Sequence, residues 1–259
     1  MEHDDRHSAI AALHRGLELG MTHIDTAEMY GSGEVERLVG EVLRGKREHA
    51  FVASKVLPAN ASFRGVIRAC EASLRRLGIA ELDLYLLHWP GDHPLEDTLS
   101  AFEELRQKGK IRFWGVSNFD ERELSAAVRM AGAGAVACNQ VLYHLGERAS
   151  EHRVIPFCEE HDIAVVAYSP FGSGDFPSSA SQGGRVLDAI AAARGVTARQ
   201  VALAFLVHGD ALFAIPKASR VAHVLDNAGA GEIELTADEL ARIDEAFPRG
   251  RPRRGVPMI

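Results

Sequence analysis

Short continuous apolar segments recur along this chain, and a longer amphipathic stretch follows each of them. The apolar segments lack the strict alternation of a half-exposed strand, which predicts parallel strands covered on both faces. In the longer stretches apolar residues recur every three or four positions, and several of these stretches end in glycine, as helices do. The seven predicted strands are THID (22–25), AFVASKV (50–56), DLYLLH (83–88), FWGVSN (113–118), AVACNQV (135–141), AVVAYSP (164–170) and LFAIPK (212–217).

The regular alternation of strand and helix favours a closed barrel over an open sheet. The chain has 259 residues, and β-then-α repeats over this length are typical of an α/β fold of the (β/α)8 TIM barrel type. No GxGxxG motif follows a predicted strand, which argues against a Rossmann domain. No linker divides residues 1–259, so we predict a single barrel domain with one long flexible loop, GSGDFPSSASQGG (172–184).

Composition and charge argue against several classes of partner. With 46% hydrophobic and 25% charged residues and a net charge of −7, the chain resembles an ordinary soluble protein without general affinity for nucleic acid or anionic membranes. The basic run PRGRPRRG (248–255) is interpreted as a solvated tail. No apolar segment approaches the roughly 18 residues of a transmembrane helix. Three widely spaced cysteines predict free thiols, no metal site and a cytoplasmic location.

Polar side chains stand at or just after the end of every predicted strand. In a barrel of this type the active site lies at the C-terminal ends of the strands. A single polar residue there has a structural explanation, such as a helix cap or a satisfied core histidine, but agreement among seven strands predicts one common site. The residues are Asp25, Lys55, His88, Ser117 and Asn118, Asn139 and Gln140, Tyr168 and Ser169, and Lys217.

Four of the polar residues suit acid catalysis. The ordinary pKa of tyrosine, near 10, is too high for an efficient proton donor at neutral pH, and a neighbouring lysine ammonium would lower it. Lys55 could serve Tyr30 in this way, and Asp25 could balance the buried charge. His88 could orient a substrate oxygen. Because no side chain is an obvious nucleophile, a hydride from a bound cofactor fits this group.

A Schiff-base enzyme is the alternative chemistry for a lysine at a barrel mouth. An aldolase using Lys55 fits less well, since a charged partner keeps the amine protonated and not nucleophilic.

The sequence resembles the aldo-keto reductases, and within them the bacterial branch of methylglyoxal-reductase-like enzymes. The resemblance runs from about residue 10 to the C-terminus. It implies an NADPH-dependent TIM-barrel reductase of aldehydes and ketones with a catalytic tetrad of Asp25, Tyr30, Lys55 and His88. The motifs that carry it are HIDTAEMYGSGE, VASKV, DLYLLHWP, WGVSNF, NQVLYH, AYSP and IPKASR.

The resemblance also implies a cofactor site. It places three polar residues at the nicotinamide carboxamide, one aromatic ring against the nicotinamide, a loop over the pyrophosphate and a cationic group at the 2′-phosphate. The carboxamide residues are Ser117, Asn118 and Gln140, and the aromatic ring is that of Tyr168. The loop residues are Ser169, Phe171 and Ser173. The residues at the 2′-phosphate are Lys217, Ser219 and Arg220, and Asn227 would contact the adenine. Trp89 would line the substrate pocket or serve in packing.

Two departures from the family pattern matter. His223 stands where many members have an arginine that favours NADP over NAD, so NADH remains an alternative cofactor although Arg220 could compensate. The usual N-terminal hairpin and first barrel strand are not recognisable, so segments 22–25 and 212–217 are expected to face each other across a gap. A start further upstream, a second chain or a truly open barrel would each account for this.

The sequence therefore predicts a carbonyl reductase with Tyr30 as general acid, acting on a small molecule as a monomer or weak homo-oligomer. The alternative function is a cofactor-binding regulatory or inactive barrel with little turnover.

Overall fold

The computed structural model describes residues 5–259, and in this part of the chain seven parallel strands alternate with ten α-helices. The strands are β1 (His23–Asp25), β2 (Phe51–Val56), β3 (Leu82–Leu87), β4 (Ile111–Ser117), β5 (Cys138–Leu142), β6 (Ala164–Tyr168) and β7 (Leu212–Ile215). The helices are α1 (Arg6–Glu18), α2 (Glu34–Val42), α3 (Phe63–Leu77), α4 (Leu95–Gln107), α5 (Glu121–Ala131), α6 (Val154–Glu160), α7 (Gln182–Arg194), α8 (Ala198–Leu206), α9 (Val221–Gly229) and α10 (Ala237–Ala246). Every predicted strand is present, and the boundaries shift by a few residues at most.

The strands form one sheet in the order β1 to β7, each hydrogen-bonded to its neighbours in sequence. This is the predicted barrel, nearly closed and with seven strands. Within residues 5–259, β1 pairs only with β2, and β7 pairs only with β6. The predicted gap between these two edge strands is therefore confirmed for the described part of the chain.

The strands separate two apolar layers. The larger layer lies between the sheet and the helices, where Trp114 of β4 stacks on Phe102 of α4. The smaller layer lines part of the barrel interior and includes Leu84 and Val166. Phe113 and Phe213 are in register with these two residues, yet their side chains are 46% and 50% exposed. The interior is therefore open to solvent at this level.

The long loop after β6 is shorter than the sequence suggested. Residues 182–184 were predicted to belong to it, but α7 begins at Gln182, with the Ser181 hydroxyl accepting from the Gly184 N–H at 3.0 Å. A β-carbon at Gly184 would lie 1.9 Å from the Ser178 carbonyl oxygen, so the glycine permits this close approach. Two helices, α7 and α8, then precede β7 instead of one.

Capping explains where several helices begin. Thr197 and Thr236 cap α8 and α10, and each forms a reciprocal capping box with the residue three positions later. The three cysteines are free thiols, as predicted, and all three are buried. In the described part of the chain no single helix is long and apolar enough to cross a membrane, and α7 and α8 meet that test only as a pair bent by 100°.

Candidate active site

Strand β1 and the loop after it carry the first two candidate residues to the mouth of the barrel. Asp25 ends the strand, and Tyr30 opens a short turn. Gly31, Ser32 and Gly33 all have positive φ angles, of 54°, 51° and 92°. L-residues with side chains rarely adopt this conformation. Because two of the three positions are glycine, the chain can turn sharply into α2.

A second carboxylate fixes this loop. Glu28 accepts hydrogen bonds from the Leu57 backbone N–H at 2.7 Å and from the Asn60 side-chain amide at 2.9 Å. Both donors lie after β2, so Glu28 ties the loop that carries Tyr30 to the neighbouring strand end. The sequence analysis assigned no role to Glu28. Its position two residues before Tyr30 was the feature that could have indicated one.

Lys55 is fully buried at the end of β2. Its ammonium donates to Asp25 Oδ1 and, at 3.0 Å, to the Thr26 carbonyl oxygen. Burial alone would lower the pKa of Lys55, but the Asp25 carboxylate outweighs it, helped by Tyr30, and the pKa is raised above its ordinary value. Lys55 is therefore a cation at neutral pH, which is unfavourable for the Schiff-base alternative.

Tyr30 and His88 complete the predicted group of four. The Lys55 ammonium lies 5.2 Å from the centre of the Tyr30 ring, and a hydrogen bond links the two side chains. The rings of Tyr30 and His88 meet edge to face with centres 5.9 Å apart. Trp89 packs on His88 with ring centres 4.7 Å apart, so it borders the same space.

His88 is held neutral by its surroundings. Burial, followed by the Lys55 charge, lowers the pKa of His88 to about 4 despite the opposing effect of Asp25. A neutral imidazole keeps one N–H to donate. Among the described residues its Nδ1 is buried without a hydrogen-bond partner. His88 is therefore suited to donate a hydrogen bond to a substrate oxygen rather than to supply a charge.

The depressed pKa of His88 predicts a pH effect on stability. The unfolded chain takes up this proton near pH 6.5, whereas the folded protein takes it up only near pH 4. The stabilisation is therefore complete above about pH 6.5 and is lost as the pH falls towards 4. Because the ring is partly exposed, we expect about 1–2 kcal/mol of unfolding free energy to be lost across this window.

Urea unfolding of the native protein and of His88→Gln at several pH values measures the contribution of His88 to the pH dependence of the unfolding free energy. The native midpoint should fall more steeply between about pH 6.5 and 4 than that of the variant. The half-buried histidines His23 and His144, whose pKa values desolvation also lowers, are present in both proteins. Parallel curves for the two proteins would show that His88 contributes nothing.

The predicted carboxamide-binding residues form a hydrogen-bonded chain that reaches Asp25. Tyr168 donates to Asn118 Oδ1 at 3.0 Å, and the Asn118 amide donates to Ser117 Oγ at 3.1 Å. Ser117 donates to the Gln140 carbonyl, and the Gln140 side-chain amide donates to Asp25 Oδ2 at 2.9 Å. Asp25 thus has one oxygen on Lys55 and the other on Gln140, a pairing between strands that the sequence did not reveal.

Tyr168 is a poor proton donor by comparison. Burial raises the pKa of its hydroxyl to about 12. Because its hydroxyl already donates to Asn118, its position is fixed by the network rather than free for acid chemistry.

The loop after Tyr168 contains the three residues predicted to cover the pyrophosphate. Ser169 and Ser173 both have positive φ angles, of 49° and 51°, and their hydroxyls are 3.1 Å apart. The Phe171 ring lies 4.9 Å from the guanidinium of Arg199, which also contacts Phe176 at 4.5 Å. Arg199, a residue that sequence reasoning missed, therefore connects this loop to α8.

A cavity of about 550 Å³ lies beyond the end of β7, between the segment that follows this strand and the start of α1. It is lined by Asp5, Ser8, Lys217, Ala218, Ser219, Arg220 and His223. It brings together the three residues predicted to hold a 2′-phosphate and adds Asp5 and Ser8 from the start of α1, which sequence reasoning did not assign. Asn227, the predicted adenine contact, is buried on α9 and is not part of this lining.

Comparison with known proteins is consistent with this arrangement. The sequence model of the Aldo/keto reductase family matches residues 2–247. Methylglyoxal reductase YeaE from Escherichia coli (strain K12) is 45% identical over 254 residues, which cover 98% of this chain and 89% of that protein. A 9,11-endoperoxide prostaglandin H2 reductase from Trypanosoma cruzi (strain CL Brener) is 33% identical over 90% of this chain and 81% of its own length. The crystal structure of an aldo-keto reductase from Klebsiella pneumoniae in complex with NADPH is 42% identical, with a TM-score of 0.92 over 98% of this chain and 89% of that one.

Proposed function

Because the chain belongs to the aldo/keto reductase family, we propose that it reduces aldehyde or ketone carbonyls to alcohols with NADPH and that Tyr30 is the general acid. The observation that carries this proposal is the buried Lys55–Asp25 ion pair beside Tyr30 and His88 at the mouth of the barrel. Such a group is arranged to deliver a proton to an oxygen.

Each side chain has one task in the proposed reaction. The substrate carbonyl oxygen accepts hydrogen bonds from the Tyr30 hydroxyl and from the neutral His88 imidazole. The proton moves from Tyr30 Oη to that oxygen, and the phenolate left behind is stabilised by the Lys55 ammonium. Asp25 balances the buried lysine. NADPH, when bound, supplies the hydride that reduces the carbonyl carbon.

The proposed cofactor contacts lie at the mouth of the barrel, for the nicotinamide end, and in the cavity beyond β7, for the 2′-phosphate end. Their fit rests on the cavity beyond β7, where Lys217 and Arg220 supply cations suited to a phosphate. The contacts are Ser117, Asn118 and Gln140 for the carboxamide, Tyr168 for the nicotinamide ring, Ser169, Phe171 and Ser173 for the pyrophosphate, Lys217, Ser219 and Arg220 for the 2′-phosphate and Asn227 for the adenine.

A small reactive carbonyl compound is the proposed substrate class. The Escherichia coli relative that is 45% identical is a methylglyoxal reductase, which makes methylglyoxal the first compound to test. Trp89, packed on His88, would form one wall of the substrate pocket and favour compact substrates with an apolar side.

The regulatory or inactive barrel is the weaker proposal. Its motivation was the unrecognised first strand, but the four residues needed for proton delivery are all in contact at one strand edge. Burying the Lys55–Asp25 pair costs desolvation free energy, which favours a role for the pair in catalysis over a purely structural one.

The test is the loss of NADPH absorbance with methylglyoxal and with 4-nitrobenzaldehyde, run beside NADH. We expect turnover of at least one carbonyl substrate that depends on enzyme concentration. Titration of NADPH fluorescence separates the alternatives: tight binding without turnover of any carbonyl would favour the regulatory barrel, and no binding would overturn both proposals.

A further inference from the structure

The cavity beyond β7 contains a hydrogen bond between an arginine and a histidine. Arg220 Nη2 lies 2.7 Å from His223 Nε2. A guanidinium can only donate hydrogen bonds, so Nε2 must be the acceptor. A protonated imidazole has N–H groups on both nitrogens and could not accept. The arrangement therefore exists only while the His223 ring is neutral.

The lining of the same cavity also includes a negative charge. Asp5 caps α1, and its Oδ2 accepts from the Ser8 backbone N–H at 2.9 Å and from the Ser8 hydroxyl at 2.8 Å. These hydrogen bonds lower the pKa of Asp5. The carboxylate is thus ionised throughout the neutral pH range, opposes a second anion and does not itself titrate there.

The other charged groups around His223 are few in the described part of the chain. Lys217 and Arg220 lie in the segment after β7, and both line the cavity. His7, on α1, lies 4.0 Å from Asp5. Asp226, further along α9, accepts from the Thr197 hydroxyl at the start of α8.

We propose that His223 takes up a proton when a phosphate occupies this cavity, so that the preference for NADPH over NADH strengthens as the pH falls. This rests on the proposed function, because it concerns the same cofactor. Protonation breaks the acceptor role of Nε2, releases Arg220 to face the phosphate and adds one N–H donor and a positive charge. A dianion next to Lys217 and Arg220 stabilises that charged ring, and by linkage the proton strengthens phosphate binding.

The sign of the effect follows from the side chain involved. Imidazole changes its charge between about pH 5 and 8. Phosphate binding favours the protonated ring, so NADPH binds more tightly at the lower end of this range. NADH has no phosphate at the 2′ position and gains nothing. A phosphate monoester loses its second proton near pH 6, which opposes the effect at lower pH. Measurements above about pH 6.5 keep the two titrations apart.

The experiment compares dissociation constants of NADPH and NADH between about pH 6.5 and 8.5, by fluorescence, for the native protein, His223→Gln and Asp5→Asn. In the native protein the ratio Kd(NADH)/Kd(NADPH) should rise about 3- to 10-fold as the pH falls. His223→Gln should remove most of this rise while still binding both cofactors. The exposed position of His223 makes misfolding of this variant unexpected.

Asp5→Asn is the matched control because asparagine keeps the helix cap and removes only the charge. It should raise the ratio at every pH and leave its pH dependence unchanged. Calorimetry of 2′,5′-ADP binding in two buffers of different ionisation enthalpy gives a second readout: proton uptake in the native protein and less in His223→Gln.

The outcomes separate this inference from the function it rests on. A native ratio that does not change with pH, or an equal slope in His223→Gln, would overturn the role of His223 while leaving the reductase proposal intact. A native protein that binds neither NADPH nor NADH would overturn both.

Discussion

Replacing Tyr30 by phenylalanine should lower kcat for carbonyl reduction by about 10²- to 10⁴-fold. The substitution removes the hydroxyl proposed as proton donor and keeps the ring that packs against His88. Binding of NADPH, measured by fluorescence, should change little, because Tyr30 is not among the proposed cofactor contacts. The measurement is initial-rate kinetics with methylglyoxal at saturating NADPH.

Tyr85→Phe is the matched control for this loss. Tyr85 is fully buried, and among the described residues its hydroxyl has no hydrogen-bond partner. Removing that hydroxyl should leave both rate and stability close to native, since no buried bond is broken. Native-like kcat in Tyr30→Phe would disprove the assignment of the general acid, whatever the control shows.

Breaking the Lys55–Asp25 pair should affect stability as well as rate. Lys55→Met leaves the largely buried Asp25 carboxylate with Gln140 but without a cation, and Asp25→Asn leaves a fully buried lysine without its counter-charge. Each single substitution should cost about 3–5 kcal/mol of unfolding free energy, because an uncompensated buried charge remains. Carbonyl reduction should fall about 100-fold or more in Lys55→Met.

The double variant separates stability from chemistry. With both charges removed, Asp25→Asn/Lys55→Met should recover most of the lost stability, since replacing a buried pair by neutral groups is often nearly neutral. It should not recover activity, because the cation beside Tyr30 is still missing. Urea unfolding of the four proteins gives the coupling energy of the pair. Additive destabilisation in the double variant would show that the two charges do not depend on each other.

The order of the strands and the edge of the sheet to which they carry the candidate residues were predictable from the sequence. Continuous apolar runs mark parallel strands because such strands are covered on both faces. Since parallel strands all end on the same edge, residues at their ends, such as Lys55 and His88, had to come close together. Pattern and chain direction indicated Asp25, Lys55 and His88, whereas Tyr30, in the turn after β1, was added on chemical grounds.

The boundaries of α7 were less predictable. A stretch rich in serine and glycine predicts a loop. Only the structure shows why a glycine is needed at the start of this helix, because Gly184 approaches the Ser178 carbonyl closely. The contact is local in the sequence, but it depends on how the loop folds back on itself, which the residue pattern does not show.

The sequence by itself thus determined which residue types reach the mouth of the barrel, because strand period and direction are local properties of the chain. The tertiary structure alone decided which partner each of them takes. The bond from Gln140 to Asp25 joins residues 115 positions apart, Glu28 reaches across to the end of β2, and Asp5 faces the cavity that holds Arg220 and His223. Such contacts depend on how strands and helices pack in three dimensions, and that packing sets the charges and hydrogen bonds on which the proposed chemistry rests.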